Sequence, residues 1–143
     1  YPDACKQDYQ KQLAWIDSVL TVASEDWVIV AGHHPIYAET SKSDSERIDM
    51  QARLDPVLQK HKVDMYICGH IHNFQHIRVP GSNIDYVTNS AGSLARKVKP
   101  IEGTVFCSSD PGFSIVTVSS EKLELRMIDK KGNVLHTVTR QRK

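Results

Sequence analysis

A chain of 143 residues with 40% hydrophobic and 24% charged content is long enough for one domain with its own core, and its composition is that of a soluble globular protein. The formal net charge of +1 excludes nucleic-acid binding by bulk electrostatics, and no apolar run reaches membrane-spanning length. Three cysteines are an odd count and make no disulfide framework: Cys68 reads as a core thiol, whereas Cys5 and Cys107 are open to pairing or to staying free. No signal peptide is visible, but Tyr1 is not a natural start, which leaves the upstream sequence open.

Residues 1–6 read as the tail of a loop. Asp8 to Ala23 is predicted to be a helix, with Leu13, Ile16, Leu20 and Val22 largely on one face and Trp15 at its shoulder. Ser24 to Asp26 break it before an apolar run, Trp27 to Ala31, predicted as a buried strand. Ile36 to Ser45 reads as a polar loop, either substrate-facing or simply solvated. Asp44 or Ser45 can cap a second helix from Glu46 to Lys60, with Ile48, Ala52, Leu54 and Leu58 on its apolar side and Pro56 kinking or dividing it. Val63 to Cys68 is a second buried strand. Beyond it the pattern is antiparallel: Gln75 to Val79 and Ile84 to Thr88 around the turn at Pro80-Gly81-Ser82-Asn83, a small-residue bend at residues 89–92, and a basic loop at residues 94–103. Three further strands are expected at Phe113 to Val118, Lys122 to Asp129 and Val134 to Thr139.

Both buried runs end alike, the first in Gly32-His33-His34-Pro35 and the second in Gly69-His70-Ile71-His72-Asn73. Glycine after a strand lets the backbone turn where a side chain would obstruct it. The two imidazoles of His70 and His72, so close in sequence, can reach one metal or two neighbouring metals. The mouths of adjacent strands in an α/β sheet are where ligands usually sit. A lone Gly-His is a weak signal; two of them in matching strand contexts are a strong one, and packing alone rarely produces the pair.

The blocks AGHHP and CGHIHN resemble the last two sequence blocks of the calcineurin-like metallophosphoesterases, and within them the purple (tartrate-resistant) acid phosphatase branch. The likeness extends to residues 12–16 before the first block, to residues 89–93, and to the order of the final strands. It implies an α/β fold, the C-terminal half of a two-sheet sandwich in αββα layers, with a mixed sheet ending in antiparallel strands. It also implies hydrolysis of a phosphorylated substrate, a phosphate monoester by likeness to the acid phosphatases. The same core serves phosphodiesterases and phosphoprotein phosphatases. Two metal ions, Fe, Zn or Mn, would bind phosphate oxygens and lower the pKa of a water. By resemblance, His33 and His70 would hold one metal and His72 the other. His34 stands where that branch usually has tyrosine, placed to contact phosphate or protonate a leaving group, or else to bond the backbone beside Pro35. Asn73 would shape the turn, and His76 would support the ligands from behind or be a half-buried strand residue. The loop at residues 38–43 holds no counterpart of the branch's usual histidine, although Lys42 there is able to bind phosphate. A secreted, periplasmic or lysosomal setting follows from the same likeness.

The family's first-half blocks, Gly-Asp and Gly-Asn-His, are not found: no glycine precedes aspartate, and the Gly132-Asn133 pair is followed by Val134. Residues 1–143 are therefore expected to be the C-terminal portion of one domain that needs its missing N-terminal half as a partner, whether the chain is a piece of that domain, a proteolytic half or one of two paired chains. By itself such a chain is expected to be inactive or nearly so. A rival reading is a non-catalytic metal- or partner-binding module that binds a partner on its open sheet face, in which the histidines are relics or hold one structural zinc.

Overall fold

The computed structural model describes residues 8–42 and 44–142. Eleven elements follow in order: α1 (Tyr9–Val22), β1 (Ile29–Ala31), α2 (Ser45–Arg53), α3 (Asp55–Lys60), β2 (Met65–Cys68), β3 (Phe74–Ile77), β4 (Asp85–Thr88), β5 (Thr104–Ser108), β6 (Gly112–Val118), β7 (Lys122–Asp129) and β8 (Val134–Gln141). They form two sheets. The five-stranded sheet runs β1-β2-β4-β3-β5, with β1, β2 and β4 parallel and β3 antiparallel to both β4 and β5. The three-stranded sheet, β6-β7-β8, is antiparallel throughout.

Two apolar cores make three layers of this. On one face of the mixed sheet, Tyr66, Cys68, Ile77 and Tyr86 pack with Leu54 and Leu58 of the α2–α3 segment, and Leu13, Ile16 and Leu20 of α1 cover them. On the other, Met65, Phe74 and Val87 meet Leu123, Leu125 and Met127 of β7 and Val138 of β8. The alternation of β7 decides its orientation, since its odd-numbered positions from Leu123 to Met127 all face the mixed sheet. The fourth, helical layer of the expected αββα order has no counterpart among the described residues. No helix among them is long and apolar enough to cross a membrane.

Local chemistry sets the boundaries. The Asp8 carboxylate accepts from the backbone N–H groups of Gln10 and Lys11, both at 3.1 Å, and so starts α1. The second predicted helix is divided at Leu54, with Pro56 in the first turn of α3, where its missing N–H costs nothing. Asp44 does not cap α2 with its side chain; it is paired with the Arg47 guanidinium instead. Ile48 and Val22, assigned above to apolar faces, are instead 61% and 78% exposed. The loop after β1 is less polar in fact than in pattern. Ile36 and Ala38 are buried, and Tyr37 donates to the Asp55 carboxylate at 3.1 Å. Strand β5 was not expected. Its five residues pair along the edge with β3, with a register shift at His76/Ile77; Thr104, Val105 and Phe106 favour a strand, but the run is short and does not alternate. Cys68 is a core thiol, pushed up to about 12 by burial. The question of Cys5 with Cys107 falls on a residue outside the described ones.

Candidate metal centre

Strands β1 and β2 pair with Ile29 opposite Met65 and Ala31 opposite Ile67, so their C-terminal ends finish side by side. The ladder continues past both ends. The Gly32 N–H donates to the Ile67 carbonyl at 3.0 Å, and the Gly69 N–H to the His33 carbonyl at 3.2 Å. The two Gly-His turns are thereby bonded to each other.

The two glycines serve differently. A Cβ on Gly32 would lie 2.3 Å from the Tyr66 hydroxyl oxygen, and that hydroxyl donates to the His34 carbonyl at 2.8 Å. Burial holds the Tyr66 pKa above its usual value, so it remains a donor. Gly32→Ala is expected to cost about 1–3 kcal/mol in urea unfolding, because the buried Tyr66 hydroxyl would have to move off the His34 carbonyl to make room. Tyr66→Phe should restore part of that loss in the Gly32→Ala background by removing the clashing atom.

Gly69 does not carry the turn. Its backbone is not left-handed and a Cβ there meets nothing within 4 Å. The positive φ angles fall on the histidines themselves, 68° at His70 and 60° at His72. A bulky residue in that region is unfavourable and persists only where its surroundings over-determine it. The Ile71 N–H closes the turn onto the Gly69 carbonyl at 2.8 Å, and the Arg96 N–H holds the His72 carbonyl at 2.8 Å.

The side chains of His33, His34 and His70 converge, with ligand atoms all within 4.8 Å of one another. His33 Nε2 lies 2.9 Å from His70 Nδ1. The His34 ring is 4.9 Å from that of His33 and 4.4 Å from that of His70. Three imidazoles brought together in this way repel one another once protonated. Burial, followed by the charges of Lys42 and His34, lowers the His70 pKa, with Glu46 opposing. His72 has a different signature: its Nδ1 is buried with no hydrogen-bond partner. An orphaned imidazole nitrogen two residues along the chain from a cluster of three imidazoles is a donor set that suits a transition metal. These four residues therefore fit the metal ions that the resemblance implies, at least on the histidine side.

Two residues that complete the cluster were not among those picked out as its ligands. Lys42 Nζ lies 2.9 Å and Glu46 Oε2 3.0 Å from His70 Nε2, while Glu46 Oε1 is 4.0 Å from His34 Nε2. Glu46 reads in the sequence only as the first turn of a helix, and no spacing rule links it to a histidine 24 residues later. Lys42 and Thr40 belong to the loop after β1. Its Tyr37, Glu39 and Thr40 also line an open cleft of about 570 Å³ together with Arg47, Lys99 and Glu102.

Asn73 is buried and its Oδ1 accepts from Gln75 Nε2 at 2.8 Å. Gln75 in turn binds both the N–H and the carbonyl of Glu39 at 2.8 Å, tying the second histidine turn to the loop after β1. His76 stands elsewhere: its Nε2 is 2.8 Å from Asp85 Oδ1 and its Nδ1 is 3.0 Å from His136 Nε2, so neither nitrogen reaches the cluster. His136 also stacks on Phe106, and His61 binds Asp17 at 2.6 Å.

The calcineurin-like phosphoesterase family matches residues 2–74. Purple acid phosphatase 3 of Arabidopsis thaliana is 35% identical over 127 residues, covering 85% of this chain and 34% of its own length. Tartrate-resistant acid phosphatase type 5 of Homo sapiens is 30% identical over 134 residues, covering 87% of this chain and 40% of its own length. Among solved structures, that of GAP50, the anchor in the inner membrane complex of Plasmodium, superposes with a TM-score of 0.81 at 29% identity, over 94% of this chain and 43% of that one. The chain thus spans well under half the length of the relatives it matches. The paired Gly-His turns, the mixed sheet that aligns them and the match over residues 2–74 have one common account: the chain belongs to the calcineurin-like phosphoesterase family, with purple and tartrate-resistant acid phosphatases among its relatives.

Proposed function

We propose that the protein carrying this chain hydrolyses phosphate monoesters, with this chain supplying the histidine half of a dinuclear centre. The observation that carries the reading is the pairing of His33 Nε2 with His70 Nδ1 at 2.9 Å, together with the unpartnered, buried Nδ1 of His72 two residues on in the chain. His33, His70 and His72 would hold the metal ions, which when bound act as Lewis acids on a phosphoryl oxygen and acidify water. The remaining ligands, carboxylates among them, would come from an N-terminal half of the same domain. His34, beside His33 and His70, is the group within reach of a phosphate oxygen or a leaving group. Lys42 supplies a point charge for phosphate at the same mouth. The likeness to acid phosphatases supports a monoester over a diester or a phosphoprotein, and a secreted, periplasmic or lysosomal setting.

Bound metal is measured by elemental analysis on this chain and on a longer protein with the upstream segment, together with turnover of an aryl phosphate. The expected result is two metals per molecule and turnover in the longer protein alone. A non-catalytic reading is favoured by the similarity to the Plasmodium anchor protein. One tightly held metal in the short chain, with no turnover in either protein, would favour that reading and sink the phosphatase.

A further inference from the structure

His70 Nε2 has two partners that ask opposite things of it. The Lys42 ammonium, at 2.9 Å, is a donor only and requires a lone pair. The Glu46 carboxylate, at 3.0 Å, is an acceptor only and requires an N–H. A neutral imidazole has one of each, and what stands on Nε2 fixes what stands on Nδ1, the nitrogen 2.9 Å from His33 Nε2. With the proton on Nδ1, His70 donates to His33 and accepts from Lys42; the position between the two imidazoles is then filled by a hydrogen bond, and Glu46 faces a lone pair. With the proton on Nε2, His70 donates to Glu46 and turns the Nδ1 lone pair towards His33. Two lone pairs 2.9 Å apart repel unless a cation lies against both or His33 carries its own proton on Nε2, and the ammonium of Lys42 must then leave His70 Nε2.

We propose that Glu46 and Lys42 form a two-position tautomer selector on His70. Glu46 is a positioning residue that holds the metal-accepting Nε2–H form, and Lys42 holds the closed Nδ1–H form in the absence of an ion. This rests on the reading of His33 and His70 as metal ligands. Carboxylates commonly orient metal-binding histidines through the far nitrogen; the opposing lysine on that same nitrogen is the new element. Both side chains come from outside the two histidine turns, Lys42 from the loop after β1 and Glu46 from the first turn of α2. An ion at His70 frees the Lys42 ammonium at the mouth of the site, where a phosphate would enter.

The test titrates Co²⁺ into the longer protein that carries the upstream segment and follows its visible absorption, for wild type, Glu46→Ala and Lys42→Met. In parallel, long-range ¹H–¹⁵N spectra of the imidazoles report which His70 nitrogen carries the proton. Glu46→Ala is expected to weaken Co²⁺ binding about 10- to 100-fold. Lys42→Met is expected to tighten it, and to move metal-free His70 from the Nδ1–H towards the Nε2–H form. Both positions are at the protein surface or half-buried, and far-ultraviolet circular dichroism checks that both variants fold. Affinities that move in the same direction, or a His70 tautomer indifferent to Lys42→Met, would overturn the proposal. Opposite shifts in a protein that hydrolyses no phosphate ester would leave the selector standing and remove only the phosphatase reading. Ester hydrolysis together with shifts in the same direction would do the reverse.

Discussion

Asp85→Ala is expected to lower the free energy of unfolding by about 3–5 kcal/mol in urea titration, the largest effect on stability anticipated from one side chain here. Asp85 is 0% exposed and lies between the two sheets. Its Oδ1 accepts from Arg78 Nε at 2.7 Å and lies 2.8 Å from His76 Nε2; its Oδ2 accepts from Arg140 Nη1 at 2.9 Å. Burial by itself raises its pKa, but the bonds from His76, Arg78 and Arg140 outweigh burial and hold the carboxyl well below the usual carboxylate range. Removing the carboxylate leaves a buried imidazole and two guanidiniums without their common acceptor. Arg78 is about half exposed and regains water, which brings the loss towards the lower end of that range.

The sign of the pH dependence follows from the direction of that shift. A carboxyl with a depressed folded pKa contributes stability that is fully present above its unfolded value, about 3.9, and is lost as pH falls through the lower folded value. Asp85→Asn should therefore flatten the acid arm of a stability–pH curve below about pH 4. His136, across the sheets, begins to matter at higher pH. Burial first, then the nearby His76 and Arg78, lower its pKa, so its contribution starts to fall as pH drops past its unfolded value of about 6.5. The two windows separate the two groups in one titration series.

The second large effect concerns metal and turnover. His70→Asn is expected to reduce metal affinity by at least about 100-fold, read by metal titration, and to reduce aryl phosphate turnover in the longer protein to a similar degree. Asparagine is chosen because it tolerates a left-handed backbone, and φ is 68° at this position. Stability should hold or rise by a few tenths of a kcal/mol, because strain at the turn is relieved while the imidazole is lost. A stability gain coupled to a loss of metal binding would be the signature of a residue kept in an unfavourable conformation for its ligand. Unchanged metal affinity would remove His70 from the centre.

The legible and the hidden parts of the molecule divide along physical lines. Where one element's own periodicity and end residues suffice, the chain states its structure locally. Asp8 announces α1, Pro56 divides the second helix, and the alternation of Lys122 to Met127 gives both the strand β7 and its inward face. The paired Gly-His turns were legible for the same reason, since the apolar run, the glycine and the histidine lie within a few residues of one another, although β1 at the sheet edge is half-buried rather than buried as expected. Harder to read were features made by distant segments meeting. Strand β5 exists by pairing with β3, and Ile36 is buried although its neighbours in sequence are polar.

The sequence by itself determined the α/β class, the order of most elements, and which histidines stand at strand ends, because each of these is encoded over short stretches of chain. Tertiary structure decided what surrounds those histidines. It laid β1 beside β2 so that His33 and His70 meet, made Gly32 yield its space to the Tyr66 hydroxyl, and sent His76 to Asp85 and His136 rather than to the cluster. It also set Lys42 and Glu46 against one nitrogen of His70, a juxtaposition across 28 and 24 residues. Such contacts depend on where the sheet and the loop after β1 carry each side chain, and no repeat in the chain records that.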